Sequence, residues 1–114
     1  MEELIEQINE ISLLSENWDG YNAIPVLPEI IEKTKQFINY LPKDVINKVT
    51  DIYPNPNGTI SIDFENNNDK LGLEIGKTSA SYFIRKNGKY FGYDNVNIFN
   101  IDELNKIEKE VINL

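Results

Sequence analysis

The stretch Ile60-Ser61-Ile62-Asp63-Phe64-Glu65-Asn66-Asn67-Asn68-Asp69-Lys70-Leu71-Gly72-Leu73-Glu74-Ile75 decides the fold class. Ile60, Ile62 and Phe64 alternate with Ser61, Asp63 and Glu65, and Leu71, Leu73 and Ile75 alternate with Gly72 and Glu74. A period of two places the apolar side chains on one side of a pleated strand pair and the polar ones on the other. The asparagine run between them is turn chemistry, because asparagine tolerates a left-handed backbone. Setting Glu65 opposite Lys70 puts Asp63 opposite Gly72 and Ser61 opposite Glu74. Asp63 and Glu74 then become diagonal neighbours on the polar side.

The same period continues outward. Val49–Tyr53 is a short strand, closed by the turn Pro54-Asn55-Pro56-Asn57-Gly58. Beyond Gly76-Lys77-Thr78 the run Ser79–Arg85 is a fourth strand, and Lys86-Asn87-Gly88-Lys89 leads into Tyr90–Asp94 through Asn-Gly, the strongest short hairpin signal. These runs predict a meander of about five antiparallel strands.

The flanks carry a helical period. Leu4, Ile8 and Ile11, widened by Ile5 and Leu14, oppose Glu3, Glu6 and Glu10, which predicts an amphipathic helix over residues 2–15. Pro28 opens a second helix with the apolar face Ile30, Ile31, Thr34, Phe37, Ile38 and Leu41, ending near Tyr40 because Pro42 disfavours helical geometry in the residue before it. Residues 42–48 connect it to the strands, with a short turn at Lys43–Ile46. Asn100 is placed to cap a third helix, with Glu103 completing a capping box and Ile101, Leu104, Ile107, Val111 and Leu114 as its stripe. The order helix, helix, five strands, helix predicts an α+β fold, residues 1–114 forming one domain with helices on one face of the sheet.

Composition narrows the chemistry. The 114 residues contain no cysteine and no histidine, which leaves no disulfide, no thiolate zinc site and no imidazole base. No Ser-x-x-Lys spacing and no Gly-rich phosphate loop occur, so an enzyme is not expected, nor is a cofactor or metal. The acidic start and the lack of a long apolar run point to the cytoplasm. The net charge of −8 opposes direct binding to nucleic acid. All of it arises in residues 1–32, which hold eight acids and no base, whereas residues 33–114 hold eleven of each. That asymmetry reads either as solubility or as attraction for a basic partner.

Between the first two helices lies Asn17-Trp18-Asp19-Gly20-Tyr21-Asn22-Ala23-Ile24-Pro25, with the only tryptophan. Asn17 suits the left-handed position after a helix ending near Glu16, and Asp19-Gly20 is a turn dipeptide. Trp18 and Tyr21 are expected to fold inward over the helix corner, with Asp19 accepting backbone or indole donors. This stretch resembles the signature Asn-Trp-Asp-Gly-Tyr-Gly-Ala-x-Pro that follows an acidic first helix in a family of small bacterial and phage proteins. Leu41-Pro42, Pro54 to Gly58 and Ile60–Phe64 extend the resemblance, which covers residues 1 to about 76. Asn22 replaces a glycine, Leu27 stands where a Ser or Thr cap is usual, and Asp63-Phe64 replaces Glu-Trp. The resemblance implies a stand-alone protein of mobile or accessory genes and carries over no catalytic residues.

Three functional readings compete. The first is a non-enzymatic module that binds a basic protein, antitoxin-like or a phage inhibitor of a host protein, through Glu3, Glu6, Glu10, Trp18, Asp19 and Tyr21 or through the sheet face. The second is a small-ligand or nucleotide binder, its pocket between helices and sheet lined by Tyr82, Arg85 and Tyr90. The third is a metal-dependent enzyme using Asp63 and Glu74, against which stands a solvated face with one cross-strand ion pair. Either a monomer or a homodimer is compatible with two open sheet edges. Arg85, Lys86 and Lys89 form the only basic cluster, at a hairpin tip.

Overall fold

The computed structural model describes residues 2–114. In chain order they form α1 (Glu2–Ser12), α2 (Pro28–Tyr40), α3 (Lys43–Ile46), β1 (Val49–Pro54), β2 (Ile60–Asn66), β3 (Asp69–Ile75), β4 (Ala80–Lys86), β5 (Lys89–Val96) and α4 (Ile101–Ile112). The strands make one antiparallel sheet in the order β1-β2-β3-β4-β5. Glu65 pairs with Lys70, Asp63 with Gly72 and Ser61 with Glu74, the register expected from the alternation. Ile60, Ile62, Phe64, Leu71, Leu73 and Ile75 are buried against Phe37 and Ile38 of α2, Ile8 of α1, and Ile107 and Val111 of α4 in one apolar core.

The helices differ from expectation in three places. α1 stops at Ser12 because the Ser12 hydroxyl turns back to the Asn9 carbonyl and the Leu13 and Leu14 amides close tighter turns onto Glu10 and Ile11. The short turn expected at residues 43–46 is helical, giving four helices among the described residues rather than three. The Val45 and Ile46 amides donate to the Pro42 carbonyl at 3.1 and 3.0 Å, and buried Val45 anchors the turn. In α4 Asn100 does cap, its side-chain oxygen accepting from the amides of Asp102 and Glu103. No capping box forms, because the Asn100 amide already donates to the Asn97 carbonyl; the Glu103 carboxylate accepts from the Asn97 amide instead. Ile101 leaves the expected stripe and is 66% exposed, while Leu104, Ile107, Val111 and Leu114 stay buried.

Two bulges shape the sheet. Register slips between Val49 and Asp51 on β1, and β5 has an extra residue opposite Ala80–Tyr82, where Asn95 takes a positive φ of 54°. The β4–β5 turn has positive φ at both Asn87 and Gly88, the type I′ geometry expected of Asn-Gly.

Candidate functional site

All four helices of the described residues lie on one side of the sheet, so among those residues the other side has no second layer. Its residues form cross-strand rows set by the register. One row runs Asp51, Asp63, Gly72, Phe83, Gly92, and the next runs Tyr53, Ser61, Glu74, Ser81. A third runs Glu65, Lys70, Arg85, Tyr90. A groove of about 480 Å³ lies across the first two rows, lined among others by Tyr53, Asp63, Glu74, Ser81, Phe83 and Asp94.

The groove owes its floor to glycine. Gly72 and Gly92 flank Phe83 on the neighbouring strands, and the Phe83 ring lies over Gly72. A Cβ on Gly72 would fall 2.4 Å from the ring's Cε1 atom. Phe83 is still 38% exposed and forms an aromatic wall beside Tyr90, their centroids 6.3 Å apart. The Lys70 ammonium, 5.8 Å from the Phe83 centroid, is tied by an ion pair at 3.2 Å to Asp63. The Tyr53 hydroxyl also reaches that carboxylate, at 3.5 Å.

The second acid is held differently. Glu74 Oε2 accepts from the Thr59 hydroxyl at 2.6 Å and from the Asn57 side-chain amide at 3.3 Å. Both donors come from the β1–β2 turn, so that turn aims the carboxylate along the groove. Asn55 donates to the Ser61 hydroxyl at 2.8 Å, which leaves that hydroxyl's proton for a third group. Asp94 sits exposed at the β5 rim. Asp63 and Glu74 are diagonal neighbours as expected, yet each has its own partners. Among the described residues no cluster of three or more metal-ligating side chains occurs.

The Trp18 stretch is a loop closed by its own hydrogen bonds and tied to the β1–β2 turn. Asn17 takes a left-handed φ of 60°, and its amide donates to the Ala23 carbonyl at 2.7 Å. Asp19 Oδ1 accepts from the amides of Tyr21 and Ala23, and the Asn17 side chain accepts from the Asn22 amide. The indole N–H donates to the Ile24 carbonyl at 3.0 Å, and the Ile24 amide in turn donates to Pro56 in the β1–β2 turn at 2.9 Å. Trp18 is only half-buried, and Tyr21 is 86% exposed, so the expected inward fold of both rings does not occur. Hydrogen bonds, rather than aromatic burial, hold the loop shut.

The sequence-derived candidates therefore separate. Glu3, Glu6 and Glu10 are exposed along α1, which precedes the loop. Trp18 and Asp19 spend their polar groups inside the loop, and of that trio only Tyr21 faces outward. Tyr82, Arg85 and Tyr90 do not share a pocket. Arg85 and Tyr90 pair on the open face, whereas Tyr82 points to the helix side, buried and stacked on Tyr93 at 4.8 Å beneath α4. Burial pushes the Tyr82 phenol up to about 12, helped by Tyr93, Glu110 and Glu103. Ser81, Phe83 and Asp94 entered no candidate site, although extending the Gly72 register one strand further would have placed Phe83 against it.

No family model matches the chain, and no curated protein or solved structure is significantly similar to it. Among the described residues no helix is long and apolar enough to cross a membrane.

Proposed function

We propose that this protein is a non-enzymatic binding module whose open sheet face docks a basic segment of another protein. The observation that carries this reading is the uncovered groove, in which Asp63 and Glu74 lie between the aromatic side chains of Tyr53 and Phe83 and Asp94 stands on the strand beyond Phe83. The open face as a whole carries five carboxylates (Asp51, Asp63, Glu65, Glu74, Asp94) against two cations, Lys70 and Arg85. An arginine or lysine laid along it gains carboxylate hydrogen bonds and an aromatic face. A phosphate would meet repulsion, which disfavours a nucleotide in this groove.

The uncompensated acids of α1 then act at longer range, steering a basic partner toward the module. A protein that works by covering its partner's surface is antitoxin-like, or an inhibitor of the kind phage and mobile elements carry. Backbone NMR titration with an extended Arg/Lys-rich peptide at low salt tests the reading. Shifts are expected at Ser61, Glu74, Ser81, Phe83 and Asp94, and the Glu74→Lys/Asp94→Lys double variant should lose them. Shifts confined to α1 would move the site to Glu3, Glu6 and Glu10, and absence of binding would end the proposal.

A further inference from the structure

The two edges of the sheet are guarded unequally. β1 carries a bulge after Val49 and ends on Pro54, which has no amide to offer, and α1 packs beside it. β5 has neither proline nor a covering helix. From Lys89 to Tyr93 it runs in unbroken register with β4, and it exposes Tyr90 at 68% and Phe91 at 50%. Large exposed aromatics on a regular edge strand are what natural edges ordinarily avoid.

The hairpin determines which backbone groups are free. A two-residue type I′ turn closes on a hydrogen-bonded pair, here Lys86 and Lys89. Along β5 the amides and carbonyls of Lys89, Phe91 and Tyr93 therefore point at β4, while those of Tyr90, Gly92 and Asp94 point outward, unpaired by the sheet. Charge is also polarised along the strand. The tip carries Arg85, Lys86 and Lys89, and the far end carries Asp94.

We infer that β5 is a homodimerisation edge, pairing antiparallel with β5 of a second copy about a two-fold axis at Gly92. Only an axis perpendicular to the sheet keeps both copies' helices on the same side, which requires paired residues of equal parity. Centring on Gly92 opposes Gly92 to itself and Tyr90 to Asp94 of the other copy. All of the outward groups from Tyr90 to Asp94 are then used in hydrogen-bonded pairs. On the helix side Phe91 meets Tyr93 of the other copy in a close, non-hydrogen-bonded pair, an aromatic cross-strand contact. The basic tip of each chain lies toward the acidic end of its mate, which makes the strand complementary to itself. Gly92 brings no side chain of its own to the axis, and a Cβ added there meets nothing within 4 Å in its own chain, so a cysteine fits.

One guard must move. The exposed Lys106 holds its ammonium 4.1 Å over the Tyr93 ring, and it swings outward on its four-carbon stem as Phe91 arrives. The dimer would join two five-stranded sheets into one and bring the two grooves, each lined by Gly92 and Asp94 at its rim, side by side. This inference stands on β5 alone and survives or fails independently of what the groove binds.

Because the chain has no cysteine, single-cysteine variants report the geometry directly. A hydrogen-bonded antiparallel pair sets its Cα atoms about 5.5 Å apart, within disulfide reach. Gly92→Cys is expected to cross-link to a covalent dimer under mild oxidation, far faster than Leu13→Cys at the 83% exposed Leu13. Sedimentation of the wild type should show mass rising toward twice 13.2 kDa across the micromolar range, and Phe91→Lys should remain at the monomer mass with an unchanged circular dichroism spectrum. A wild type that stays monomeric throughout, or a Gly92→Cys variant that cross-links no faster than Leu13→Cys, overturns the proposal.

Discussion

The two faces of this sheet are made by the same strands and the same register, yet they differ in every physical respect. On the helix side Ile60, Ile62, Phe64, Leu71 and Leu73 are excluded from water. On the open side Ser61, Asp63, Gly72 and Glu74, each one residue away, form a polar groove whose side chains bond to turns or to one another. Burial on the first face stabilises the fold; arrangement on the second leaves groups available to a partner. Stability should therefore respond to one face and binding to the other.

The sharpest way to break that distinction is a pair of phenylalanines. Phe64→Ala empties a fully buried site and should cost about 3–5 kcal/mol in urea denaturation. Phe83→Ala, on the open face, should cost at most about 1 kcal/mol while weakening capture of a basic peptide. Equal losses would mean that the open face is part of the core. Next comes the loop that holds the β1–β2 turn against the body of the protein. Asp19→Ala strips the acceptor from two backbone amides and should lower stability by about 2 kcal/mol. Trp18→Phe, losing one neutral hydrogen bond, should lower it by about 1 kcal/mol in the same assay.

Much of this was legible beforehand, for a reason visible in particular residues. Alternation over Ile60–Ile75 reads directly as register because a slip of one residue would turn Phe64 and Leu71 into water. The faces of Tyr82 and Arg85 were equally legible, and their opposite parity already argued against a shared pocket. The end of α1 was not legible, since a serine at position 12 and an asparagine suited to a left-handed turn at position 17 are both compatible with a helix running to residue 16, and the back-bond and tight turns that end it at Ser12 leave no mark in the residue pattern. Nor was the contribution of Tyr53 to the groove, because the bulge after Val49 hides the pairing of β1 from any simple count. The partnering of Glu74 depends on Thr59 and Asn57, whose side chains meet it only through turn geometry.

Asp63→Asn probes the boundary between the faces. Asp63 is buried though it lies on the open side, and its pair with Lys70 is intermediate between exposed and interior ion pairs. A loss of about 1 kcal/mol is expected, most of it insensitive to salt. Full screening by salt would place the pair in solvent.

A smaller effect belongs to Tyr82 on the helix side. Its folded phenol titrates near 12, against 10 in the unfolded chain, so between those values the native state binds the extra proton. That contribution is complete below pH 10 and is lost as pH rises to 12, at a slope on the order of 1 kcal/mol per pH unit within the window. Comparing thermal stability of the wild type with Tyr82→Phe over this range isolates it, because the variant should show a shallower decline. Identical declines would indicate that the Tyr82 hydroxyl is solvated.

The least effect on stability is expected where charge is most concentrated. Glu3, Glu6 and Glu10 are exposed on α1, and reversing all three to lysine should change the unfolding free energy by no more than about 0.5 kcal/mol. Binding kinetics give this variant its value. If α1 only steers, the triple reversal slows association with a basic peptide and flattens its salt dependence while leaving dissociation unchanged. The open-face Glu74→Lys/Asp94→Lys variant should instead accelerate dissociation, because it removes groups that touch the bound segment. Stopped-flow measurement of both variants separates attraction at a distance from contact. A triple variant that dissociates faster than the open-face variant would transfer the docking surface from the sheet to α1.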